Sequence, residues 1–214
     1  MHIVIVANGW LTKPLVIQPG DLLLAADGGA RNCLEAGLTP DTVIGDLDSL
    51  DEPILEALAS AGTNILRFPS RKDYTDLELA IQHAVELGAE SITLIAALGA
   101  RWDQTFANVL LAASNPSLQI KIVDGNQEIS FLRSGEKIQI SGEAGDTVSL
   151  ISLSDQAKGI RTENLEYPLQ DETLGFGSTR GVSNTLLQSP ASVFLENGLL
   201  MVTMIHHKES SLYS

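Results

Sequence analysis

Thr42-Val43-Ile44-Gly45-Asp46-Leu47-Asp48-Ser49-Leu50-Asp51-Glu52-Pro53 is the stretch on which the fold turns. Its short apolar run has no polar alternation and reads as a strand buried on both faces. Gly45 ends it, two carboxylates follow, and Asp51-Glu52-Pro53 opens a helix to about Ala61, with Gly62 just past its end. The same phrase recurs on either side. Ile3 to Val6 and Leu22 to Ala26 are strands, and Asp27-Gly28-Gly29 leads into a short helix that stops at Gly37. Ile65 to Phe68 is the fourth strand, and Thr75 with Glu78 forms a capping box for a helix ending at Gly88. Ile92 to Ala96, a helix over Gln104 to Ala113, and Ile120 to Val123 complete the series. Strands apolar on both faces and joined by helices specify a mostly parallel sheet covered on both sides.

After Asp124-Gly125 the texture changes. Lys137 to Ile140, Thr147 to Ile151 and Leu199 to Ile205 are short strands separated by Ser-Gly, Gly-Glu and Gly-Asp turns, and no long helix returns. The reading is α/β: a mostly parallel sheet flanked by helices over residues 1–125, then an antiparallel β-sandwich over 126–214. The polar end from Lys208 to Ser214 is expected to fray.

The chain has 214 residues, with 13 Lys+Arg against 27 Asp+Glu, a net charge of −14. That balance opposes capture of nucleic acid or an anionic membrane, so neither is an expected partner. No stretch approaches the ~20 apolar residues that span a bilayer. One cysteine, Cys33, excludes an internal disulfide and a Cys-rich zinc site, and reads as a small buried hydrophobe. The expected compartment is the cytoplasm.

The acids fall at informative positions. Asp27 follows the second strand, Asp46 and Asp48 the third, Asp73 and Asp76 the fourth, and Asp103 the fifth. In a parallel sheet these are all carboxyl ends of strands, the edge where open α/β folds bind ligands. Capping explains a single acid such as Asp48 or Asp103, but not paired acids at successive strand ends. Like charges so close need a cation, and oxygen ligands without His or Cys favour Mg²⁺ over Ca²⁺ or Zn²⁺. Arg71, Lys72 and Arg101 lie in the same loops, so a nucleoside triphosphate is the natural ligand. No Walker motif is present. Trp10 and Trp102 read as packing residues, with a border of the crevice as the alternative for Trp102, which lies between Arg101 and Asp103; Ser183 lacks the surroundings of a hydrolase nucleophile.

Ala26-Asp27-Gly28-Gly29-Ala30, Gly45-Asp46-Leu47-Asp48-Ser49, Lys72-Asp73-Tyr74-Thr75-Asp76 and Gly99-Ala100-Arg101-Trp102-Asp103 resemble the thiamine pyrophosphokinase family in order and spacing. Ser178-Thr179-Arg180-Gly181-Val182-Ser183-Asn184 is similar to that family's thiamine-domain signature. Two departures are Leu47, where Phe is usual, and Gln104, where many bacterial members carry His. The resemblance implies transfer of pyrophosphate from ATP to the hydroxyl of thiamine, giving thiamine diphosphate and AMP. It also implies a homodimer with thiamine near the subunit interface. Carried over by position, Asp46, Asp48, Asp73 and Asp76 would hold Mg²⁺, and Asp27, Gly28, Gly29, Arg71, Lys72 and Asp103 would line the ATP site. Asp73, Asp76 and Arg101 would act in catalysis, and Ser183 and Asn184 would bind thiamine.

Overall fold

The computed structural model describes residues 1–99 and 101–207. Ala100 and the tail from Lys208 to Ser214, where fraying was expected, lie outside them. The chain divides into two compact units, Met1–Gly125 and Asn126–Ser214.

In the first unit the strands are β1 (His2–Val6), β2 (Leu22–Ala26), β3 (Thr42–Gly45), β4 (Asn64–Arg67), β5 (Ser91–Ile95) and β6 (Gln119–Asp124). The helices are α1 (Gly29–Glu35), α2 (Glu52–Ser60), α3 (Asp76–Glu86) and α4 (Trp102–Ala113). The strands lie in the order β6-β5-β1-β2-β3-β4, all parallel. Four of the five residues of β1 and β2 and all four of β3 are buried, as continuous apolar runs require. β4, at the edge, is only partly covered. Register pairs Ala26 with Ile44 and Ile44 with Leu66, and Val6 with Ala25 and Ile95. The loops after these strands therefore leave from one edge of the sheet.

Thr75 is the N-cap of α3, accepting from the Glu78 N–H at 3.2 Å, which is the N-cap half of the expected capping box. The other helix starts differ from a capping role for the acids. Asp51 is the N-cap of α2 and Arg101 that of α4, so neither Asp48 nor Asp103 caps the helix that follows it. α4 begins two residues earlier than its apolar pattern suggests. Trp10 and Trp102 are not packed: they are 62% and 73% exposed. The expectation rested on size and hydrophobicity alone, but α4 buries only Ala112 and Ala113 at its far end. Cys33 is fully buried in α1, and burial pushes its thiol up to about 12.

The second unit contains β7 (Gln127–Arg133), β8 (Lys137–Ile140), β9 (Thr147–Ser152), β10 (Gln156–Glu163), β11 (Gln170–Gly175), β12 (Asn184–Thr185), β13 (Ala191–Phe194) and β14 (Leu199–Ile205). They form two antiparallel layers, β12-β9-β14-β7 and β11-β10-β13-β8. One core joins the layers, with Leu150, Leu200 and Val202 on one side and Ile160, Leu174 and Val193 on the other. In β14 burial alternates strictly, with Leu200, Val202 and Met204 on the core side.

Candidate functional site

The site builds from the ends of β2, β3 and β4. Asp27, the first residue past β2, adopts φ 46°, and its N–H donates to the Ile44 carbonyl at 2.8 Å. That bond hooks the end of β2 onto β3 and aims the Asp27 carboxylate inward, where the residue is only 7% exposed. Its Oδ1 is buried and has no hydrogen-bond partner. Such a group costs free energy unless something cationic approaches it.

Gly45 makes room. It has φ 154°, and a Cβ there would lie 3.0 Å from Asp76 Oδ1 and 3.1 Å from Asp27 Cβ. With glycine in place, carboxylate oxygens of Asp27, Asp46 and Asp76 come within 4.8 Å of one another. Lys72 is the cation facing them: its Nζ is 2.8 Å from Asp76 Oδ1 and 3.9 Å from Asp46 Oδ2. The shorter contact is an ion pair whose angles fall short of a hydrogen bond. Three carboxylates against one ammonium leave an excess of negative charge, and an all-oxygen donor set fits a hard divalent cation.

Close backbone approach shapes the neighbouring wall. A Cβ on Gly28 would enter the Asn8 side chain, and one on Gly29 would enter the Val6 carbonyl. Asn32 Nδ2 donates to the carbonyls of Ala7 at 3.0 Å and Gly9 at 3.2 Å, and an Arg31 guanidinium N–H donates to the Ser49 carbonyl at 2.9 Å. α1 thereby fixes the loops after β1 and β3.

The other expected site residues sit outside the tight cluster. Asp48 and Asp73 are exposed; Asp48 accepts from the Ser49 hydroxyl at 3.4 Å, and its N–H donates to Asp46 Oδ1 at 3.3 Å. Arg71 is also exposed. Arg101 and Asp103 form an exposed ion pair at 2.6 Å. The Arg101 hydrogen bond holds the Asp103 carboxyl below its ordinary range, and Asp103 in turn raises Arg101.

In the second unit, Asn184 helps line a pocket of about 400 Å³ together with Glu166, Tyr167, Pro168, Arg180 and Gly181. The Asn184 side chain clamps Tyr167 on both sides, accepting its N–H at 3.0 Å and donating to its carbonyl at 2.7 Å. Ser183 is exposed and left-handed at φ 61°, with its N–H donating to the buried Ser149 hydroxyl at 3.0 Å. Sequence reasoning missed Glu166, Tyr167 and Ser149 as parts of this region. The backbone clamp joins residues 17 apart in sequence, and no periodicity reports it.

Two family models match the chain: "Thiamin pyrophosphokinase, catalytic domain" over 14–123 and "Thiamin pyrophosphokinase, vitamin B1 binding domain" over 136–200. A curated relative, thiamine pyrophosphokinase of Bacillus subtilis, is 27% identical over 183 residues, covering 85% of this chain and 86% of its own. The crystal structure of thiamine pyrophosphokinase from Bacillus subtilis superposes with a TM-score of 0.87 at 25% identity, covering 97% of this chain and all of that one. That of thiamin pyrophosphokinase from Geobacillus thermodenitrificans gives 0.83 at 29% identity, covering 99% of each chain.

Proposed function

Because the chain belongs to the thiamine pyrophosphokinase family and transfers pyrophosphate from ATP to thiamine, we propose that the carboxylates after β2, β3 and β4 form its catalytic centre. The observation that carries this is the cluster of Asp27, Asp46 and Asp76, with one ammonium and an orphaned buried oxygen. Mg²⁺ suits that donor set. Asp46, Asp48, Asp73 and Asp76 would hold it with Asp27 facing it from the end of β2, and when bound it would neutralise phosphate charge.

The chain's own groups supply the rest. Asp27, Gly28, Gly29, Arg71, Lys72 and Asp103 line the triphosphate site in this reading, and Arg101 meets the phosphates once its exposed partner Asp103 releases it. The thiamine hydroxyl oxygen bonds to the β-phosphorus while the bond from that phosphorus to the α–β bridging oxygen breaks. AMP leaves with that electron pair, and Asp73 or Asp76 accepts the hydroxyl proton. Ser183 and Asn184 bind thiamine, Asn184 partly by holding Tyr167 at the pocket wall. The exposed Glu166 beside Tyr167 suits a cationic ligand.

The proposal extends to a cytoplasmic homodimer with thiamine near the subunit interface. A lone, buried thiol agrees with a reducing compartment. No helix among the described residues is long and apolar enough to cross a membrane.

The test is AMP formation from purified protein, ATP and Mg²⁺, with and without thiamine, and mass detection of thiamine diphosphate. Thiamine-dependent AMP with matching thiamine diphosphate is the expected result. AMP formation that ignores thiamine would overturn the substrate assignment.

A further inference from the structure

The segment that joins β4 to α3 has a single inward residue. From Arg67 to Thr75 every residue is exposed except Lys72, whose side chain is only 13% exposed. Its ammonium turns onto the carboxylate cluster, 2.8 Å from Asp76 Oδ1 and 3.9 Å from Asp46 Oδ2. The loop that also carries Arg71 and Asp73 is therefore pinned to the sheet edge at one point.

The seat fits this ammonium poorly. Asp76 Oδ1 is buried and receives no hydrogen bond although Lys72 Nζ is beside it, so charge and not a directed N–H holds the contact. The ammonium reaches Asp46 and Asp76 but leaves Asp27 Oδ1 buried without a hydrogen-bond partner. A hard divalent ion carries twice the charge and takes carboxylate oxygens without having to aim a donor at each. Asp46 and Asp76, which would hold that ion, are the same two acids that hold Lys72. Two cations on one pair of carboxylates repel each other, and a lysine stem is flexible enough to withdraw. The anion to which it can turn is the triphosphate of a nucleotide at the same edge.

We propose that Lys72 is a stand-in cation: it occupies the acid cluster until the metal arrives, then passes to the nucleotide phosphates. This rests on the carboxylate reading above and adds an order of events to it. Without nucleotide, the ammonium must give up both carboxylate partners for water before a metal can take them. With nucleotide, the phosphates receive it. Metal and nucleotide therefore strengthen each other's binding, and by linkage the effect is reciprocal. Because Lys72 is the loop's one inward side chain, its exchange also frees Arg71 and Asp73 to shift as the site fills.

Calorimetric titration of nucleotide-free protein with Mg²⁺ tests the competition. Lys72→Met is expected to bind Mg²⁺ at least about tenfold more tightly than the parent, because the resident cation is gone. Arg71→Met removes the same charge from the adjacent, exposed position and is expected to stay within about threefold of the parent. Acetylation of lysines in the parent, read by peptide mass, tests the exchange without a substitution. Lys72 is expected to react slowly in chelator, at least about tenfold faster in saturating Mg²⁺, and slowly again with Mg²⁺ and ATP. The exposed Lys158 should react alike in all three conditions. Equal Mg²⁺ affinity in the parent and Lys72→Met, or Lys72 acetylation unchanged by bound Mg²⁺, would overturn the stand-in role and leave the carboxylate centre standing. An equal gain in Arg71→Met would also overturn it, since the loss of any nearby charge would then suffice. Absence of Mg²⁺ binding in both the parent and Lys72→Met would overturn the carboxylate centre, and this inference with it.

Discussion

Asp27→Asn separates the cost of the carboxylate cluster from its use. The carboxylate oxygens of Asp27, Asp46 and Asp76 lie within 4.8 Å of one another, and at an effective dielectric of about 20 each such pair repels by about 3.5 kcal/mol. Asp27 takes part in two of these pairs, while the Lys72 ammonium pairs with Asp76 and Asp46. Asparagine keeps the side-chain shape and tolerates the left-handed φ of 46° at this position. After relaxation and screening by salt, the substitution is expected to stabilise the metal-free protein by about 1–3 kcal/mol. In urea with a chelator at neutral pH, that moves the unfolding midpoint up by about 0.5–1.5 M. Added Mg²⁺ should stabilise the parent and do much less for the variant. Thiamine-dependent AMP formation should fall at least about a hundredfold. A variant no more stable than the parent in chelator would refute the view that these acids are held together against their own repulsion.

Lys72→Met removes the cation and leaves the acids facing one another, so the metal-free protein should lose about 2 kcal/mol, less than a fully buried pair because Asp76 is partly exposed; Mg²⁺ should restore much of that loss in the same urea assay. Ser183→Ala should raise the thiamine KM with the ATP KM unchanged, and because serine and alanine share the Cβ that strains a left-handed φ of 61°, the substitution adds little backbone strain. Ser183→Gly removes the hydroxyl and also relieves the left-handed strain that serine carries, so a raised KM in both variants assigns the effect to the hydroxyl. Burial works to raise the Asp146 carboxyl, yet the N–H groups of His207 and Glu143 and the His206 ring hold it below its ordinary value. A depressed carboxyl stabilises the fold above its unfolded pKa and loses that contribution as pH falls through the folded one. Asp146→Asn should therefore cost about 2 kcal/mol at neutral pH and flatten the loss of stability below about pH 4, measured by urea unfolding across that range.

The resemblance of the motifs and the run of buried strands were both legible because they are local. Val43-Ile44 cannot sit at a water-facing sheet surface, and Thr75 with Glu78 forms its cap within one turn. Once the strands are parallel and in register, the acids after β2, β3 and β4 must share an edge. Leu199 to Ile205 is likewise legible as a strand, but it is apolar on both faces, and the side that Leu200, Val202 and Met204 turn to the core comes from the packing.

Which acids meet was decided only by the tertiary structure. Asp27, Asp46 and Asp76 converge because Gly45 lacks a Cβ and Asp27 hooks onto the Ile44 carbonyl, whereas Asp48 and Asp73, from the same loops, stay in solvent. The clamp of Asn184 on Tyr167 and the support of Ser183 by Ser149 link residues 17 and 34 apart, and such pairings leave no trace in local pattern. An exposed apolar stripe on α4 shows the same limit from the other direction. Hydrophobic spacing establishes that Trp102, Phe106 and Leu110 share a face, but burial depends on what lies opposite. Within this chain α4 covers little beyond Ala112 and Ala113. Sequence sets the periodicity of an element; only packing in three dimensions determines which side of it finds a partner.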